Sequence, residues 1–322
     1  MDIEYLLLLQ RLRELTNDIL TPFMETISLF SVSYLVFIPI LIYWIYDRRK
    51  GLLPLASFYL CIGINAVVKL TACIYRPWIR DARVVTAGDA ISTATGYSFP
   101  SGHTATASPL LAGMARVFSD TNKWFSRICI IVLLTIAFSR NYLGVHTPQD
   151  VLIALLEGFI TVFVMDKIFA YVETNPEKED ILLLLEFLFA LMGLVYITFK
   201  TYPMNYVDGV LIVDPQKMMN DGYGDLGMMM TYPIARFIEK KWIRFTPTGL
   251  NKNGLIAGIL GFVLYALIRE LLNPYLVAQF GSHWGKLYGS FILVFFTIAV
   301  YPLIIRLVFN KQKKEEQKCP TD

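Results

Sequence analysis

Residues 139–150, reading SRNYLGVHTPQD, place an arginine, a histidine and an aspartate within twelve residues, between two long apolar segments. Gly144 and Pro148 argue against one continuous helix through this stretch. Thr147 reads as a helix N-cap, Pro148 as the first helical position and Asp150 as the third. His146 is thereby left on a turn at a helix mouth, with Asp150 one turn further on and able to reach it. A histidine held by a carboxylate has one ring tautomer fixed and its other nitrogen free to attack an electrophile. The same residues also read as an ordinary capping box beside a loop histidine.

Two other stretches carry matching chemistry. KLTACIYRP sets Lys69 and Arg76 seven residues apart, two helical turns, hence on one side. FPSGHT opens another segment: Pro100 or Ser101 starts a helix, Gly102 lets a ligand approach the backbone, and His103 sits in the first turn. Free N–H groups at a helix start favour an anion. Taken singly, Lys69 reads as a snorkelling lysine, Arg76 and Arg140 as interfacial anchors, and His103 as a satisfied polar residue inside a bundle. As a set they say more. The chain has three histidines, and two of them fall in these stretches. Three cations and a helix N-terminus are what a tetrahedral oxyanion requires. No Asp/Glu/His cluster suits a divalent metal, so no metal and no cofactor is expected.

The elements that must position these residues are membrane helices. Of 322 residues, 55% are hydrophobic, and the mean hydropathy is +0.51. That is too apolar for a soluble domain of this size. A formal charge of +3 gives no nucleic-acid surface. Four cysteines without a CxxC pair argue against a disulfide or zinc framework. No cleavable signal peptide is read, because the first apolar run is short and preceded by acidic residues. Residues 1–25 are read as an amphipathic segment lying on the membrane, with Arg11, Arg13 and Glu14 on its polar side. Nine spans are then expected, at about 26–46, 52–73, 101–118, 127–142, 149–170, 181–199, 223–238, 254–272 and 286–309. The fold class is therefore an all-α integral membrane bundle. Residues 26–200 form its core, and 201–322 supply extra C-terminal spans and a basic tail.

Alternate loops differ in charge. One set (48–50, 116–127, 167–178, 236–252 and the C-terminal stretch with Arg306, Lys311, Lys313, Lys314 and Lys318) holds 18 of the 29 Lys and Arg residues. The positive-inside bias puts those loops and the C-terminus in the cytoplasm, the N-terminus outside, and His146 on the extracytoplasmic face. The three stretches then meet at one depth.

Lys69–x6–Arg76–Pro77, Pro100–Ser101–Gly102–His103 and Ser139–Arg140–x5–His146–x3–Asp150 resemble the three motifs of the type 2 phosphatidic acid phosphatase superfamily, which includes vanadium haloperoxidases and glucose-6-phosphatases. The resemblance covers residues 69–150 directly and about 26–170 by context. It implies a six-helix phosphatase-type core and a metal-independent phosphatase. By that resemblance His146 becomes a phosphohistidine, Asp150 orients it, and His103 protonates the leaving alcohol and then activates water. Lys69, Arg76, Arg140, Ser101 and the Gly102 amide would hold the phosphoryl oxygens.

A site between helices at the membrane boundary favours a lipid phosphate monoester or diphosphate as substrate: phosphatidate, phosphatidylglycerophosphate, polyprenyl phosphates or sphingoid phosphates. Membrane lipids are the expected surroundings. The alternatives are a phosphotransferase passing phosphate from a lipid to a hydroxyl acceptor, a glucose-6-phosphatase-like enzyme on a soluble ester, and a non-enzymatic lipid transporter that retains the cradle. Arg80 and Arg83 read either as substrate contacts or as lipid anchors. Asp208–Gly209, between β-formers, reads as a short hairpin that is either a lid or a surface loop. The absence of an Asn-x-Ser/Thr sequon and of a retrieval signal points to a bacterial plasma membrane.

Overall fold

A computed structural model describes residues 2–309. The basic tail invoked for orientation, with Lys311, Lys313, Lys314 and Lys318, lies outside the described residues, as does Cys319. The chain runs α1 (Asp2–Leu15), α2 (Thr21–Ser33), α3 (Phe37–Leu41), α4 (Arg48–Ala72), α5 (Pro77–Arg80), α6 (Gly102–Phe118), α7 (Lys123–Tyr142), α8 (Pro148–Thr174) and α9 (Glu179–Phe199). A two-stranded hairpin, β1 (Tyr206–Val207) and β2 (Val210–Leu211), follows. Then come α10 (Pro215–Ile238), α11 (Lys252–Leu267), α12 (Asn273–Phe295) and α13 (Tyr301–Ile304). The all-α membrane architecture expected from the sequence is the one observed.

Local chemistry sets the boundaries. Asp47 caps α4 by accepting from the Lys50 N–H at 2.9 Å, and Cys73 ends it in the left-handed region with φ 49°. Asn122 caps α7 and Asn251 caps α11 through their side-chain oxygens. Asp208 and Gly209 both have positive φ, and Val207 pairs with Val210. That is the turn an Asp-Gly pair prefers. The hairpin is solvent-facing, with Tyr206, Val207 and Val210 all exposed. It is tied down at its base, where the Asn205 amide donates to the Tyr75 hydroxyl at 2.7 Å.

Helix α4 is the axis of the bundle, packed against α6 and α8 on one side and α10 on the other. Helix α7 covers α6, and α9 and α12 cover α10. Two glycines let the central helices approach. A Cβ on Gly113 of α6 would lie 2.9 Å from Cα of Pro54 in α4, and one on Gly158 of α8 would lie 2.0 Å from Ser108 Oγ in α6. Any larger residue would push these helices apart. A polar pair joins two of the central helices: Asn65 of α4 donates to Glu157 of α8 at 2.7 Å. At the far end of the bundle Trp44 Nε1 donates to the Thr297 carbonyl at 2.9 Å, joining the N-terminal helices to the last ones.

Ion pairs collect at the end of the bundle holding residues 48–49, 173–180 and 236–241. Arg48 meets Glu239 at 2.6 Å, Arg236 meets Glu179 at 2.8 Å, and Lys240 meets Asp180 at 2.9 Å; Arg49 pairs with Glu173. The sequence stretches singled out for chemistry lie at the opposite end.

By length and apolarity, four stretches among the described residues qualify as spans: Arg48–Arg80, Lys123–Tyr142, Pro176–Phe199 and Lys252–Phe309. The bent pair Thr21–Ser33 with Phe37–Tyr46 makes a fifth. Nine spans are therefore not confirmed. The expected spans at 101–118, 149–170 and 223–238 fall on α6, α8 and α10, which carry Thr, Ser, Gly, Asp or Glu. Much of α6 and α10 is buried against other helices rather than against lipid. The expected spans 254–272 and 286–309 lie within one 58-residue apolar stretch. Helix α1 also departs from a simple amphipathic reading: Arg13, expected on the polar side, is only 4% exposed.

Candidate active site

The turn after α7 folds as its residues dictate. Gly144 takes φ 74°, a conformation costly for any side chain, and the amides of Val145 and His146 both donate to the Arg140 carbonyl. Thr147 then caps α8. Its hydroxyl accepts from the Asp150 N–H at 3.4 Å while Asp150 accepts from the Thr147 N–H at 2.8 Å, the reciprocal box read from the sequence. This closes the loop on itself and delivers His146, 1% exposed, to the end of the bundle.

His146 Nδ1 lies 3.3 Å from Asp150 Oδ2, and its Nε2 lies 2.7 Å from Arg76 Nη1. A guanidinium can only donate, so Nε2 must accept, and the ring proton is left on Nδ1 to be donated to Asp150. The network therefore selects one tautomer, with the Nε2 lone pair directed at the cations. Burial, and next the Arg76 guanidinium, hold His146 well below the ordinary histidine value of 6.5; its contact with Asp150 pulls the other way. Burial and Arg76 thus favour the neutral imidazole.

Ser98 is the functional residue the sequence reading missed. Its hydroxyl donates to Asp150 Oδ2 at 2.5 Å and lies 3.4 Å from His146 Nδ1. Asp150 thus has three donors around one oxygen: Ser98, Thr147 and His146. Nothing in the sequence pointed to Ser98, which stands two residues before Pro100 in a loop and is brought in only by folding. The Ser101 N–H donates to the Asp150 carbonyl at 3.0 Å, so the starts of α6 and α8 are tied together.

The cations are held differently from one another. Arg76, which directly precedes α5, donates to three backbone carbonyls, Gly96 at 3.2 Å, Thr95 at 3.0 Å and Val145 at 3.0 Å. Its guanidinium is fixed in place rather than free to follow a ligand. Lys69, near the end of α4, donates to the Pro100 carbonyl at the mouth of α6. Arg140 is 1% exposed; one nitrogen donates to Ser28 Oγ at 2.5 Å, while Nε and Nη2 have no hydrogen-bond partner. Two unpaired guanidinium nitrogens in the interior are expensive unless an anion meets them. His103 Nε2 is likewise buried without a partner.

Lys69, Arg76, Gly102, His103 and His146 line one cavity of about 570 Å³. A Cβ on Gly102 would meet nothing within 4 Å, so the N-terminus of α6 opens onto free space there. Ser101 is placed differently: its oxygen accepts from the Thr104 N–H and hydroxyl as the cap of α6, leaving only its own proton for a ligand. Arg140 borders a neighbouring cleft with Ser28 and Leu143. Thr93 lines both spaces.

The opposite wall of the cavity comes from the C-terminal helices. Helix α10 supplies Asp221, Asp225 and Met228, and α12 supplies Asn273, Lys286, Ser290 and Leu293. Arg80 and Arg83 take no part in the cavity lining: Arg80 pairs with Asp2 at 2.7 Å, and Arg83 with Asp81 at 2.7 Å and Glu4 at 3.1 Å. Among the described residues no group of three or more His, Cys, Asp or Glu is placed to hold a metal ion.

Residues 50–173 match the PAP2 superfamily, a segment running from α4 to the end of α8 and containing all eight residues named from the sequence. The chain is also similar to the undecaprenyl-diphosphatase of Sulfolobus acidocaldarius, with 29% identity over 113 residues, 34% of this chain and 51% of that protein. It thus spans about half the length of that curated relative. No solved structure matches the chain.

Proposed function

We propose that this chain, which through residues 50–173 belongs to the PAP2 superfamily, is a membrane-embedded phosphatase acting on a lipid phosphate monoester or diphosphate through a phosphohistidine. One observation carries the reading: His146 gives its Nδ1 proton to Asp150 while its Nε2 faces a fixed guanidinium. That is an oriented nucleophile aimed into an anion site.

In the first step the Nε2 lone pair attacks phosphorus and the bond to the leaving oxygen breaks. His103, in the same cavity, gives that oxygen a proton. In the second step His103 takes a proton from water, the resulting hydroxide attacks phosphorus, and the P–N bond breaks. Phosphate leaves and His146 returns to its neutral tautomer. Asp150, braced by Ser98, balances the positive charge that the ring acquires while it is phosphorylated. Lys69, Arg76, the free edge of Arg140, the Ser101 hydroxyl and the Gly102 amide hold the phosphoryl oxygens.

The apolar part of the cavity lining, from Phe58 and Ile62 of α4 to Met228 of α10 and Leu293 and Val294 of α12, favours an amphiphilic leaving group, whose chain runs between the helices while its phosphate stays at the mouth of α6. Polyprenyl diphosphates, the class named by the archaeal relative, fit this description. The loop charges support an extracytoplasmic site: the end of the bundle opposite His146 is the basic, ion-paired one.

The test is phosphate release by purified protein from a set of lipid phosphates and diphosphates, in EDTA, with an alcohol acceptor present. Release that disappears in His146→Ala supports the reading. Phosphate appearing on the acceptor instead would replace hydrolysis with transfer. Release unaffected by His146→Ala would end the assignment.

A further inference from the structure

The N-terminal helix reaches the nucleophile's turn from outside the matched PAP2 segment. Arg13 of α1 is 4% exposed, and its guanidinium is shared between two backbone carbonyls: Nη1 donates to Tyr142 at 2.7 Å and Nη2 to Val85 at 2.6 Å. Tyr142 is the last residue of α7, four before His146. Val85 belongs to the long loop between α5 and α6. The loop and the turn are joined a second time where the Ala87 N–H donates to the Leu143 carbonyl at 3.0 Å. Gly144 fits beneath this junction, since a Cβ there would lie 3.2 Å from the Val85 carbonyl and 3.6 Å from Arg13 Nη1. Helix α1 is fastened to the same loop and to the end of α5: Gln10 accepts from the Val85 N–H at 2.9 Å, and Asp2 pairs with Arg80 at 2.7 Å.

We propose that Arg13 is a positioning residue for phosphoryl transfer, a buried fork that clamps the Val85 loop to the Tyr142–Val145 turn and so fixes where His146 stands. A guanidinium suits this role because it is always charged and presents paired donors in a rigid plane. Carbonyls at a helix C-terminus are its natural acceptors. Its catalytic consequence rests on the hydrolase reading of His146; its structural consequence does not.

The experiment separates the two. Arg13→Met, Arg13→Lys and the control Arg80→Ala are made in the full chain in detergent, and hydrogen exchange is followed at the amides of residues 143–146. Arg13→Met is expected to exchange there at least tenfold faster than wild type, while Arg80→Ala, which breaks only an exposed α1 contact, does not. Arg13→Lys, with a single nitrogen for two carbonyls, is expected to fall between them and covers the case in which Arg13→Met does not fold. Phosphate release per folded enzyme should fall about 100-fold in kcat for Arg13→Met with KM nearly unchanged, the cost of a nucleophile displaced by about 1 Å. Partial return of kcat is expected in Arg13→Lys. Wild-type exchange rates at 143–146 in both Arg13 variants would overturn the clamp. Accelerated exchange with no phosphate released by wild type from any ester would leave the clamp standing and sink the hydrolase reading instead.

Discussion

Arg76 Nη1 donates to His146 Nε2 across 2.7 Å, so the arginine assigned to hold phosphate covers the nitrogen assigned to attack it. Substrate has to enter between them, and the rest of the guanidinium cannot retreat, because Thr95, Gly96 and Val145 carbonyls hold it. In the proposed mechanism the contact is exchanged for one with a phosphoryl oxygen while the guanidinium plane stays where it is. Arg76→Lys is expected to lose about 10²–10³ in kcat, as for removal of one oxyanion donor, because an ammonium cannot serve three carbonyls and a phosphate. Steady-state phosphate release measures it; an Arg76→Lys variant running at the wild-type rate would remove Arg76 from the cradle.

Asp150→Asn keeps the shape of the cap but lets the ring adopt the other tautomer. The amide oxygen can still accept from the Thr147 N–H. It carries no charge, however, to balance a phosphorylated imidazole. A loss on the order of 10⁴ in kcat is expected by analogy with the carboxylate of a hydrolytic triad. Chemical quenching should show correspondingly less acid-labile phosphate on the protein.

Ser98→Ala removes the hydroxyl that donates to Asp150 at 2.5 Å. One hydrogen bond to a charged acceptor contributes roughly 1.5–3 kcal/mol, so a fall in kcat of about 10- to 100-fold is expected, with KM little altered. Activity equal to wild type would mean that Thr147 and the helix start orient Asp150 without help.

The pH profile follows from the depressed titration of His146. Only the neutral ring attacks, and burial together with Arg76 lowers its pKa below 6.5. The neutral fraction therefore persists as pH falls through 6.5, and the acid limb of kcat/KM due to this group lies below that value. In the unfolded chain the ring takes up its proton near 6.5. The native state accordingly loses stability through this group as pH falls below 6.5. Arg76→Gln removes the second-largest lowering influence, so the acid limb of its residual activity should move to higher pH. An unmoved limb would assign that titration to another residue.

The cavity wall supplied by α12 makes a size test possible. Ser290→Phe places a ring in the lining opposite the cradle. KM for a long-chain lipid phosphate is expected to rise roughly tenfold, as for an overpacked apolar contact of 1–3 kcal/mol. KM for a small soluble phosphate ester should not change. Equal effects on both would mean that the leaving group does not run along α10 and α12.

Part of this site is short-range and could be read along the chain. The Thr147–Asp150 box depends on residues three apart, and the break in the helix at Gly144 on a single residue. Both were visible because capping and turn formation are local equilibria. The gathering of Lys69, Arg76, His103 and His146 was legible for a related reason: apolar segments must cross or pack in alternation, so their ends share a depth. Ser98, Arg13 and the cavity wall were not legible. Each acts on residues 52, 129 or more than 60 positions away through a loop path that no periodicity constrains. The nine spans are not confirmed, because α6 and α10, buried largely among other helices, carry polar residues that keep them below the apolarity of a lipid-facing span.

The sequence alone determined an all-helical membrane bundle and the residue types able to bind and attack an oxyanion, since composition and local spacing dictate both. Only the tertiary structure decided which nitrogen of His146 carries the proton, that Ser98 braces Asp150, that α10 and α12 wall the cavity, and that α1 ties down the turn before His146. Those outcomes depend on distances between segments remote in the chain, and such distances come into being only when the helices pack.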